Sequence, residues 1–272
     1  MQKNKQNVII FWILSIVMMA AFGRFQRATG PSYPVSGEVT INKHEIDYSL
    51  PRSSEGDDIV YIKIKVPDTA VMAVIDFKKY PSYDEYKSEA MTRDNQYFKF
   101  LVPRQANAGK ISYKIHLKTD TEAVDLNKGE PVVIRFRGSV PLFIMIFHIL
   151  FMAISLTLCF RTMFEVFMKG NNLYRFTLAT CISLMIGGMI LGPIVQKFAF
   201  GAFWTGWPFG HDLTDNKTIA GIILWLLAVW RLRKDPNATK WVLAAVILLV
   251  VVYFIPHSVL GSEIDYTKVP QR

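Results

Sequence analysis

Apolar residues gather in five runs, at about 8–22, 139–160, 176–195, 218–230 and 241–256, and charged or Pro-bearing seams separate them. A run of roughly 20 apolar residues crosses ~30 Å of hydrocarbon as a helix. The second and third runs meet that length. The shorter ones are bounded by charge or proline, so the pattern predicts about five transmembrane helices. Between the first and second runs the period changes. Ile111, Tyr113, Ile115 and Leu117 alternate with Ser112, Lys114, His116 and Lys118, which is strand patterning. Ile59–Val66 alternates in the same way, and Glu38–Ile41, Val71–Phe77, Tyr97–Val102 and Val132–Phe136 read as further strands. Turn signals at Pro51, Ser53–Gly56, Pro67-Asp68, Asn107–Gly109 and Asn127–Gly129 punctuate them. About seven short strands at this spacing predict an Ig-like or fibronectin-like all-β sandwich. Tyr80–Ser88 is less regular and reads as an insertion.

The predicted fold class is therefore a membrane α-helical bundle with an all-β extracytoplasmic domain inserted between helices one and two. Its domains are an N-terminal anchor over 1–27, a β-sandwich over 28–138 and a four-helix membrane domain over 139–272. The membrane domain includes an aromatic loop at 197–217 and a tail at 257–272. Lys3 and Lys5 before Val8–Phe22 would suit a signal peptide, but Phe22-Gly23-Arg24 makes a poor cleavage site, so the run reads as a retained anchor.

Charge supplies an orientation. With the N-terminus inside, the inner seams hold Lys3, Lys5, Arg161, Lys169, Arg175, Arg231, Arg233, Lys234 and Lys240, opposed by Glu165 and Asp235 alone. That bias satisfies the positive-inside rule. It predicts a multi-pass membrane protein with a cytoplasmic N-terminus and with the β domain and C-terminus outside. Residues 30–138 carry 16 basic and 16 acidic side chains, so the net charge of +9 belongs to the membrane part. The excess points to the lipid bilayer as partner and not to nucleic acid. A membrane or periplasmic protein is the other expected partner. The two cysteines, Cys159 and Cys181, both fall in helical runs, so the β domain has no disulfide to rely on.

Candidate chemistry lies in two segments that this topology places on the outer face. The first, Phe198–Lys217, is dense in Trp, Phe and Gly and contains Trp204, Trp207, His211, Asp212 and Asp215. The second follows Pro256 and contains His257, Glu263 and Asp265. Two imidazoles and several carboxylates at one depth are suited to a divalent metal, although no standard zinc spacing is present. The ordinary alternative is an interfacial aromatic belt with a helix cap at Asp215 or Asn216. His148 lies about nine residues into the second run, where an ionisable group is a functional candidate by default. The expected site is thus cofactor-binding at Trp204, Trp207 and His148, and metal-binding at His211, Asp212, Asp215, His257 and Glu263, for a divalent metal or haem. His44 and His116 read as surface residues, and Gly188 and Gly192 as a close-packing GxxxG pair. No nucleophile elbow, HExxH, P-loop or dinucleotide fingerprint occurs, so enzymatic function is not expected.

The stretch Ala199-Phe-Gly-Ala-Phe-Trp-Thr-Gly-Trp-Pro-Phe-Gly-His-Asp-Leu-Thr-Asp-Asn-Lys-Thr218, taken with Pro256–Tyr266, resembles an uncharacterised bacterial inner-membrane protein family. That resemblance implies an outer β domain ahead of a four-helix unit. The same loop is faintly similar to the WWD loop of cytochrome c assembly proteins, which implies haem presentation at the outer face. It departs from that pattern at Trp207-Pro208-Phe209-Gly210-His211-Asp212, where a Trp-Asp-Pro-Lys-Glu core would stand. The functional expectation is a membrane binding or assembly protein with a metal or haem site. The alternative is a non-catalytic scaffold or accessory subunit whose sandwich docks a partner protein.

Overall fold

A computed structural model describes residues 2–56, 59–255 and 261–268. The chain forms two compact units. One comprises the helices, residues 1–31, 140–198 and 202–261; the other comprises residues 32–139, 199–201 and 262–272.

The β unit holds eleven strands. They are β1 (Val35–Ile41), β2 (His44–Leu50), β3 (Ser53–Glu55), β4 (Tyr61–Lys65), β5 (Met72–Lys79), β6 (Lys87–Ala90), β7 (Thr92–Asp94), β8 (Tyr97–Leu101), β9 (Lys110–Lys118), β10 (Ala123–Asp125) and β11 (Val132–Arg137). The largest sheet runs β3-β11-β9-β5-β6, with β10 also on β9. A second sheet runs β4-β8-β7, and β1 and β2 form a hairpin. The strand period of two puts Ile62 and Ile64 of β4, Ile75 of β5, Ile111 and Ile115 of β9 and Phe136 of β11 into one buried core. The Phe77 and Phe100 rings meet in it at 5.1 Å. The sheets and shared core fit a sandwich, with more strands than the sequence pattern suggests. Tyr113 donates its phenol proton to the Pro51 carbonyl at 2.8 Å, and burial holds that phenol well above its usual pKa. Phe136 is fully buried, so Phe136→Ala is expected to cost about 3–5 kcal/mol. In the full chain the amides of β9 and β11 should then exchange hydrogen at least ~100-fold faster.

His116 is not an idle surface residue. Its Nε2 lies 3.0 Å from Asp76 of β5 and its Nδ1 2.6 Å from Asp125 of β10, so one ring ties three strands. The last described residues also belong to this unit. The Ile264 N–H donates to the Ala108 carbonyl at 3.1 Å, and Tyr266 N–H to that of Pro81 at 3.1 Å. The Tyr266 hydroxyl donates to the Gln105 side chain at 3.1 Å.

In the helical unit, α1 (Gln2–Thr29), α2 (Leu142–Phe167), the continuous helical segment 173–200 and α5 (Leu213–Lys234) contain four spans long and apolar enough to cross a membrane. The fifth helix, α6 (Thr239–Phe254), is shorter. The element order departs from five unbroken helices at the third run. That run divides into α3 (Leu173–Leu184), a π-helical segment Met185–Leu191, and α4 (Gly192–Phe200). Pro193, which has no N–H to donate, stands two residues past the bulge. The buried glycines of this run are Gly187 and Gly188, not a Gly188–Gly192 pair. A Cβ on Gly187 would come within 2.9 Å of Met152 Sδ, and one on Gly188 within 2.8 Å of Thr218 Cγ2. The close approach is therefore within the bundle.

A second departure concerns charge. The sequence pattern ends the second run near residue 160, yet α2 continues to Phe167 and buries Arg161 and Glu165, which are 2% and 3% exposed. They are not a solvated seam. Glu165 Oε2 lies 2.7 Å from Arg161 Nη2, and its Oε1 accepts the Asn172 N–H at 2.9 Å.

Candidate functional site

The aromatic loop is tied to the start of α5 by its carboxylates. Asp212 is the N-cap of α5: its Oδ1 accepts the Thr214 N–H at 2.8 Å. The cap is thus neither Asp215 nor Asn216. Asp212 Oδ2 accepts the Thr205 hydroxyl at 3.1 Å. Asp215, in the first turn, accepts the N–H groups of Thr205 at 2.7 Å and Gly206 at 2.9 Å on one oxygen, which also receives Gln196 Nε2 at 3.2 Å. Asn216 accepts the Trp207 N–H at 2.7 Å, and Trp204 donates its indole N–H to the Trp207 carbonyl at 3.0 Å. Gly206 is needed there, because a Cβ would meet Asp215 Cβ at 2.5 Å. The peptide bond Trp207–Pro208 is cis.

These contacts bear on the expected metal ligands. Asp212 and Asp215 are buried, and their oxygens serve loop and cap hydrogen bonds. His211 is exposed. Glu263 pairs with Lys110 within the β unit. Asp265 is held below the usual carboxylate range by the Thr267 hydroxyl and backbone beside it. His257 lies outside the described residues. Among the described residues no group of three His, Cys, Asp or Glu side chains stands close enough to hold a metal ion. Trp207, Phe209 and Phe203 are exposed, as residues of an interfacial belt are.

His148 belongs to a different constellation. It lines a cavity of about 340 Å³ inside the helical unit. The π bulge releases the Gly187 carbonyl from ordinary helical pairing. That oxygen receives the Gly192 N–H and lies 2.9 Å from His148 Nδ1. A carbonyl only accepts, so Nδ1 carries a proton, and whenever the ring is neutral Nε2 is its acceptor. Lys217 of α5, Gln26 of α1 and Tyr253 of α6 also line the cavity. Lys217 Nζ donates to the Ile255 carbonyl at 2.9 Å, leaving two further N–H donors on the ammonium. Gln26 donates to the Tyr253 carbonyl. The Tyr253 hydroxyl is buried beside Ser155 and has no hydrogen-bond partner of ordinary geometry among the described residues. Met19, Leu156, Leu184 and Leu249 complete an apolar wall.

Sequence reasoning singled out His148 but missed Lys217, Gln26 and Tyr253. A cation one turn into an apolar helix was the available signal for Lys217. The convergence of four helices on His148 had no local signal. Compared with known proteins, the chain matches no family model and no curated protein.

Proposed function

We propose that this chain is an integral membrane binding protein that holds a membrane-soluble amphiphile with an oxygen-bearing head in the His148 cavity. The observation that carries this reading is the cavity's division into a polar group (His148, Lys217, Gln26 and Tyr253) and an apolar wall (Met19, Leu156, Leu184 and Leu249), among four helices of membrane-crossing length and the shorter α6. Ionisable groups among such helices are costly and mark ligand or ion sites. An apolar pocket with a few convergent polar groups is the usual form of a small-molecule site. Lys217 would donate to a carbonyl, phenolate or carboxylate oxygen, and His148 Nε2 would accept from a hydroxyl. The body of the ligand would lie against the leucines and methionines. In this reading the protein sits in a bacterial inner membrane, with its basic turns cytoplasmic and an Ig-like β unit outside. The support for the orientation is the positive-inside bias of the seams, and for the bacterial inner membrane the resemblance of the aromatic loop and tail.

A haem or divalent metal remains the alternative ligand, with His148 Nε2 as the donor best prepared for it. The scaffold reading rests on a different observation. The outward face of β4 and β8 exposes the paired Tyr61 and Leu101, with Ile59 also exposed just before β4 and with Lys63 and Lys99 next along the face, a mixed apolar and basic surface on which a partner protein would dock.

The test is solvent extraction of the detergent-purified full chain, followed by mass spectrometry, metal analysis and an absorbance spectrum. One oxygen-headed amphiphile should co-purify near one per chain. Ala153→Phe, which fills the cavity, should deplete it about tenfold, and Lys217→Met should weaken its retention, both with unchanged circular dichroism. A Soret band or stoichiometric metal lost in His148→Ala would replace the amphiphile with that ligand. A clean extract from the wild type would leave the scaffold reading.

A further inference from the structure

A second cavity, of about 970 Å³, opens where the α2–α3 turn meets the α5–α6 turn. Its polar lining is unlike that of the His148 cavity. Lys169 and Arg233 supply two cations, while Asn171, Asn237, Tyr174 and Thr239 supply amide and hydroxyl groups. The carboxylates at hand are already engaged. Glu165, on the wall, is paired with Arg161 and accepts the Asn172 N–H. Asp235 accepts the Asn237 N–H at 2.9 Å within its own turn. Neither Lys169 nor Arg233 has an ion-pair partner among the described residues. The cavity lining therefore offers two cations that no ion pair among the described residues claims, beside several neutral hydrogen-bonding groups.

From this geometry we infer that the turn cavity is a site for a phosphate oxyanion, supplied by the headgroup of an anionic phospholipid. Two observations favour a lipid over free phosphate. Val166, Leu173 and Leu232 form part of the wall, giving the glycerol and upper acyl carbons an apolar surface. Beside it, the Arg231 guanidinium lies 5.1 Å from the Trp230 ring and 4.9 Å from that of Trp241, and Lys234 lies 4.3 Å from Trp230. Cation and indole paired in this way form the usual anchor at headgroup depth. Basic pockets between membrane helices bind anionic headgroups by the same electrostatics. The site is separate from the His148 cavity and does not depend on the function proposed for it.

The experiment has two arms. In the first, the full chain is placed in nanodiscs of equal phosphatidylglycerol and phosphatidylcholine, and retained lipids are identified by native mass spectrometry. Wild type should retain phosphatidylglycerol with a preference of about 30-fold, the effect of two cations near a headgroup. Lys169→Gln with Arg233→Gln should bring the preference to about unity. The charge-matched control, Lys63→Gln with Lys65→Gln in the β unit, should leave it unchanged. In the second arm, millimolar inorganic phosphate is added to the detergent-solubilised chain, and the thermal shift is read. A shift equal to that from phosphatidylglycerol, lost in the Lys169/Arg233 variant, supports the oxyanion site with a soluble source. The inference is overturned if wild type shows neither effect, or if the Lys169/Arg233 variant behaves as wild type while keeping its circular dichroism melt.

Discussion

Glu165→Leu is expected to lower the melting temperature of the detergent-solubilised chain by roughly 10 °C, the counterpart of about 3–5 kcal/mol. The reason is the environment of Arg161. Its guanidinium is 2% exposed, 4.6 Å from the Phe176 ring and 5.7 Å from that of Trp12, and its Nε and Nη1 have no hydrogen-bond partner among the described residues. Glu165 is its counter-charge. The 2.7 Å approach lies outside hydrogen-bond angles, so the pair is held by charge and by the Asn172 N–H that fixes the carboxylate. Removing the anion leaves a buried cation between two aromatic rings without its counter-charge. Arg161→Met with Glu165→Leu removes both desolvation costs and should sit near wild type. Gly170→Ala should move in the direction of the single variant, because its Cβ would come within 2.1 Å of Glu165 Oε1. Thermal melts of the two single variants and the pair form a double-mutant cycle. If the paired variant melts no higher than the worse single one, the charge account of this contact is wrong.

The same pair shows where the sequence is readable and where it is not. Bilayer-length apolar runs carry their meaning locally, and so does the alternation of Lys110–Lys118, which is β9 residue for residue. Arg161 and Glu165 read as a solvated seam because charge usually is one. Their i,i+4 spacing was the contrary signal, and it places both on one helix face. Strand β2 went unread, although Ile46, Tyr48 and Leu50 alternate after Asn42 and Lys43, which both take positive φ in the hairpin turn. By contrast, the parallel pairing of β3 with β11 joins segments about eighty residues apart, and no local pattern announces it. The candidate site divides in the same way. His148 was visible as an ionisable residue in an apolar run. Its proton position depends on a carbonyl released by a π bulge in another helix. The loop carboxylates were visible too, but a carboxylate that binds metal and one that binds backbone N–H groups have the same letter in a sequence.

That ambiguity makes Asp215→Ala the other informative substitution. Loss of the carboxylate leaves the buried Gly206 N–H, together with that of Thr205, without the acceptor they share at 2.9 and 2.7 Å. Each such orphaned group costs about 1–3 kcal/mol. The loop between α4 and α5 should then detach from α5, while the helices, whose apolar contacts lie elsewhere, remain packed. Chymotrypsin digestion of the full chain reads this directly, because Phe203, Trp207 and Phe209 are exposed side chains on otherwise tethered backbone. Cleavage in the loop is expected to accelerate by about tenfold or more. Asp215→Asn keeps one carbonyl oxygen at the position of Oδ2 and should lose much less. Chelator treatment of the wild type separates the two roles a carboxylate could have here. If Asp215 orders the loop through backbone donors alone, removing divalent cations changes nothing. If chelation speeds cleavage as strongly as Asp215→Ala does, a metal orders the loop and the hydrogen-bond account fails.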